Sequence, residues 1–167
     1  MEFLQQVVRD LANAAQGPVP PGPLGAKMQA TERAKRVLAY TARLLIEREL
    51  ASLKDRQQHL EILSNMIIDV YAMDSVVNRT RLLEGHGTKE DDEFRRAMTN
   101  VFVASANEHV ADGARRLLAN ELEGDELRAH LARVDSLVWY FPIRTIEAKT
   151  RIAEALVARG LGPIFLR

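Results

Sequence analysis

Cysteine is absent from the 167 residues. This excludes a disulfide framework, a thiolate zinc site and a cysteine nucleophile together. It also fits a reducing compartment, and a cytoplasmic location is expected. Net charge is absent too, with 23 basic side chains against 23 acidic ones. Phosphate binding is driven by accumulated positive charge, so the balance argues against a nucleic-acid partner. No apolar run approaches the roughly 18 to 20 residues that span a bilayer. The opening Met1-Glu2-Phe3-Leu4 lacks the basic, then uninterrupted apolar pattern of a secretory leader. Proline is scarce outside one place: four of the six lie within residues 17–25. No sustained alternating, β-branched run occurs, so no strand is expected.

What remains is helical. The hydrophobic share of 47% and charged share of 28% are those of an ordinary globular chain, and the length suits about one domain. Leu4, Val7, Val8, Leu11 and Ala15 recur at helical spacing, predicting a short amphipathic helix over 1–16. Residues 17–27 read as an extended Pro/Gly-rich linker. The bundle domain occupies 28–167. Thr31 is placed to cap a helix carrying Val37, Leu38, Thr41, Leu44, Leu45 and Ile46. Asp55 and Gln58 resemble a capping box opening a second long helix. Over residues 60–73 that helix is apolar on more than half its circumference, which predicts a central position with neighbours on several sides. Gly85-His86-Gly87 ends it, and Thr88 followed by acidic residues starts the third helix, with Phe94, Met98, Val101, Phe102, Ala106, Val110, Ala114, Leu117 and Leu118 as its apolar positions. Gly124 and Asp125 read as a stop and a new N-cap, before Leu127, Leu131, Val134, Leu137 and Val138. A last helix beyond Pro142 carries Ile146, Ile152, Ala155 and Leu156 and stops at Gly160. The expected architecture is an all-α four-helix bundle, with an extra N-terminal helix on a Pro-rich linker and a C-terminal helix outside.

The search for chemistry returns little. No Gly-rich phosphate loop follows a strand, and no HExxH pattern exists. His59, His86, His109 and His130 are far apart, and each reads as a surface or loop histidine. The di-iron signature of helical bundles needs Glu-x-x-His pairs, and there are none. Asp69, between Ile68 and Val70, is the carboxylate in the most apolar surroundings. Burial would raise its pKa and suit it to acid–base work; the plainer reading pairs it with an arginine or has it cap polar groups on a facing helix. The basic groups Arg33-Lys35-Arg36, Arg79/Arg81 and Arg95-Arg96 with Arg115-Arg116 are interleaved with acids, as solvated helix faces are. Residues 28–54 carry six basic against three acidic side chains, a local excess that admits membrane-surface contact only weakly.

The run Ile68-Asp69-Val70-Tyr71-Ala72-Met73, followed by Val76-Val77-Asn78-Arg79, resembles a segment in the C-terminal domain of very-long-chain-type acyl-CoA dehydrogenases. Thr41-Ala42-Arg43-Leu44-Leu45, Gln57-Gln58, the Gly85-His86 turn and the ending Ile152 to Gly160 fit the same pattern in order. The likeness spans roughly residues 30–162. It implies a helical domain appended to a FAD-dependent enzyme that dehydrogenates fatty acyl-CoA between the α and β carbons. In that family the flavin site, the acyl-CoA pocket and the glutamate base lie in a core upstream, so no catalytic, cofactor-binding or metal residue carries over to this chain. The implied partners are the dehydrogenase core or a partner subunit, with a homodimer expected. Mitochondrial members tie the region to membranes; here the stretch before residue 28 is shorter and less basic. A separate helical adaptor, and a stand-alone ligand-binding bundle or enzyme, are the competing readings.

Overall fold

The computed structural model describes residues 19–49, 55–138 and 143–160. The expected arm over residues 1–16 lies outside them. Among the described residues there are five helices and no strand: α1 Gly25–Glu49, α2 Gln57–Leu83, α3 Lys89–Glu121, α4 Gly124–Val138 and α5 Thr145–Ala158. The first four form an up-and-down bundle. α1 and α3 touch along its diagonal, with α2 on one side of them and α4 on the other. α5 packs on α3 alone, as the expected outer helix.

The central helix is α3, not α2. Eleven of its residues are buried against five on α2. The α3 contact positions are rich in Ala104, Ala106, Ala111, Gly113 and Ala114, whose small side chains let neighbours approach from several sides. At Gly113 an added Cβ would lie 2.8 Å from Met66 Cγ of α2, so the α2/α3 approach needs glycine there. The fully buried α2 residues are Met66, Val70, Met73, Val77 and Thr80; Ile62 packs beside them, half-buried. They join Val37 and Leu45 of α1, Val110 and Leu117 of α3 and Val134 of α4 in one core. The Thr80 and Thr99 hydroxyls satisfy each other at 2.7 Å across α2 and α3.

Three helix starts differ from expectation. α1 begins six residues before Thr31, at Gly25, so residues 25–27 belong to the helix and not to the linker. Leu24, buried to 3% exposure, anchors that end, and Gly22 at φ +101° turns the chain into it. Thr31 is inside the helix, its hydroxyl donating back to the Lys27 carbonyl at 2.9 Å. At α2 the Asp55/Gln58 box does not form, and Arg56 holds the N-cap position without a side-chain cap. Tertiary pairing fixes this end: Arg56 pairs with Glu121 of α3, and His59 Nε2 lies 2.9 Å from the same carboxylate. α4 starts at Gly124 itself, with Asp125 and Glu126 in its first turn.

The Thr88 start matches expectation. Its Oγ1 accepts from the Asp91 N–H at 3.1 Å, while Asp91 accepts from the Thr88 N–H at 3.2 Å, a reciprocal capping box. Thr88→Ala is expected to cost about 0.5–2 kcal/mol of stability, read by urea denaturation. The hydrogen bonds from Thr88 hold the Asp91 carboxyl below its ordinary pKa of 3.8, with Arg159 and Arg95 adding to the effect. A carboxylate with a depressed folded pKa stabilises above the unfolded value and loses that contribution as pH falls through the folded one. The Thr88→Ala loss should therefore shrink below about pH 4, because acid already removes the box from the parent chain.

Candidate docking surface

Two side chains on α2 show how its apolar excess is used. Ile68 is 62% exposed and Tyr71 74% exposed. With Leu60, Ile67 and Leu82, also exposed, they lie on one side of the helix at 100° per residue. That stripe is roughly opposite the buried set from Met66 to Thr80. The expected central placement of residues 60–73 is thus corrected: their apolar girth serves two faces, of which the bundle covers one. Ile67, Ile68 and Tyr71 are neighbours on that side, while Leu60 is set apart from them by Ser64, and Leu82 by Ser75 and Asn78. A second apolar strip lies between α3 and α5, where Met98, Phe102, Ile152 and Leu156 line an open groove of about 440 Å³. Ile146, on the expected outer helix, is 83% exposed. α5 has no buried residue and is held at its end by Arg159, which pairs with Asp91 at 2.8 Å and covers the Phe94 ring at 4.4 Å.

Asp69 is not a buried carboxylate. Its side chain keeps 26% exposure, and the group facing it from α3 is the His109 imidazole, with Nδ1 at 3.7 Å, not an arginine. The two line an open cleft of about 390 Å³ between α2 and α3, together with Asn65, Asp112 and Arg116. Of the other histidines, His86 is exposed in the turn before α3. His59 and His130 are not loose surface groups: His59 sits against Glu121, and His130 Nδ1 is 2.6 Å from the Tyr40 hydroxyl. Among the described residues, no three histidine or carboxylate side chains converge as metal ligands, and no helix is long and apolar enough to cross a membrane.

The α2/α3 cleft mixes Asp69 and Asp112 with His109 and Arg116, and the α3/α5 groove is apolar with Lys149 as its cation. What the surface offers is apolar packing area on α2, flanked by a polar cleft. Sequence reasoning saw these apolar residues but assigned them to the core.

The solved acyl-CoA dehydrogenase of Bacillus anthracis, described as complexed with FAD, superposes with a TM-score of 0.84 at 24% identity, covering 94% of this chain and 27% of that one. It establishes the fold. A probable acyl-CoA dehydrogenase of Bacillus subtilis (strain 168) is 28% identical over 136 residues, which are 81% of this chain and 23% of that protein. The chain therefore spans about a quarter of the length of either relative. The family profile described as "Acyl-CoA dehydrogenase, C-terminal domain" matches residues 33–135. A bundle with a diagonal α1/α3 core and an outward apolar α2 is thus a member of the acyl-CoA dehydrogenase C-terminal domain family.

Proposed function

We propose that this chain is the docking and packing domain of a FAD-dependent acyl-CoA dehydrogenase of very-long-chain type. In this reading the parent enzyme removes hydrogen from fatty acyl-CoA between the α and β carbons, and the helical domain supplies contact surface while the flavin and the base belong to the core. The observation that carries it is the outward stripe of Leu60, Ile67, Ile68, Tyr71 and Leu82 on a helix whose other face is already buried. Such a stripe is stabilised by cover from a dehydrogenase core or a second copy. The homologous relatives, both named as dehydrogenases and about four times longer, support a core as the natural cover. In isolation the stripes of two chains pair, giving a homodimer. The cysteine-free sequence suits the cytoplasm.

A flavin titration tests the division of labour. Adding FAD to the 167-residue chain should leave the flavin fluorescence and visible spectrum unchanged, and an acyl-CoA with an artificial electron acceptor should show no turnover. Stoichiometric flavin binding, or dehydrogenation by this chain alone, contradicts the reading.

A further inference from the structure

The side of α2 that the bundle leaves uncovered carries a charge pattern that is its own complement. Glu61 and Arg79 are both exposed, and among the described residues neither has an ion-pair or hydrogen-bond partner. The 18 residues from Glu61 to Arg79 make five full turns at 3.6 residues per turn, so both charges stand on one side of the helix. Ile68 and Tyr71, 62% and 74% exposed, lie between them, with Ser64 and Ser75 to either side. Read along the helix, the face is acidic, small, apolar, apolar, small and basic. Other carboxylates of α2 are turned elsewhere: Asp74 pairs with Lys35 of α1, and Asp69 faces His109 of α3. Of the described helices, α2 touches only α1 and α3.

A second copy running antiparallel meets this pattern at every level. Setting Glu61 beside Arg79 of the second copy places a two-fold axis at the level of residue 70, midway between them. Ile68 and Tyr71 of both chains then lie within one turn of the axis and form a single apolar cluster. Ser64 of each chain falls near Ser75 of the other, where small side chains let the helices approach. Glu61 meets Arg79 twice, once at each end. A parallel pair instead sets Glu61 against Glu61 and Arg79 against Arg79, with like charges at both ends.

Resting on the reading of this face as self-pairing, we infer that the second copy docks antiparallel on α2. Ile68 and Tyr71 form the centre, and reciprocal Glu61–Arg79 ion pairs fix the register at both ends. Each chain uses the whole face once, so the assembly closes at two copies.

Charge reversal in the full 167-residue chain tests the arrangement, with sedimentation equilibrium at low ionic strength as the readout. Glu61→Arg and Arg79→Glu, each alone, put like charges at both ends, and each should weaken dimerisation about tenfold or more. Glu61→Arg combined with Arg79→Glu restores opposite charges and should return the dissociation constant to within about threefold of the parent. Both positions are exposed, so circular dichroism should show unchanged helix content. The absence of cysteine permits a second measurement, with a spin label on Leu82→Cys. In the antiparallel dimer the two labels are roughly 36 Å apart along the helix axis, and in a parallel one roughly 10 Å. Dimers indifferent to both single reversals, a double variant as weak as the singles, or labels at the short distance overturn this arrangement and leave self-pairing standing. A chain that is monomeric throughout overturns both.

Discussion

Leu117→Ala should lower the unfolding free energy by about 2–5 kcal/mol. Leu117 is fully buried near the C-terminal end of α3, the helix that touches all four others. Truncation removes its transfer free energy and leaves a cavity among rigid neighbours, and interiors packed to crystal density collapse only partly around such a void. For a domain of this size each kcal/mol shifts the melting midpoint by roughly 2–4 °C, so a fall of about 5–20 °C is expected by calorimetry. A loss under about 1 kcal/mol would mean that α3 is not the centre of the bundle.

The pair Ile67→Glu and Tyr71→Glu should behave in the opposite way. Both side chains are at least half exposed, so the folded monomer loses little, and the melting midpoint of dilute protein should move by no more than a few degrees. Association is where the change acts. Two carboxylates in the middle of an apolar contact must be desolvated without partners, which costs several kcal/mol, so dimer affinity should fall by at least 100-fold. Size-exclusion chromatography with light scattering across a concentration series reads this directly.

These contrasting outcomes rest on a distinction that sequence periodicity carries poorly. The all-α class, the Gly85 to Thr88 break with its capping box, and the apolar stripe of α1 are legible because each is a local pattern. Which helix is central is not. Counting large apolar residues favours residues 60–73, yet α3 is central through alanine and glycine, which score weakly as hydrophobic but allow close approach, as Met66 against Gly113 shows. The apolar surplus on α2 is visible in the sequence, but periodicity alone does not say which of its faces the bundle covers. Helix starts went wrong where tertiary anchors overruled local caps: Leu24 for α1, and the Arg56/His59/Glu121 cluster for α2.

Sedimentation equilibrium of the unmodified chain is the most direct test of the docking reading. Between about 1 and 200 µM the apparent mass should rise from 18.8 kDa toward twice that value, as affinity in the micromolar range requires. A mass that stays at 18.8 kDa throughout would contradict it.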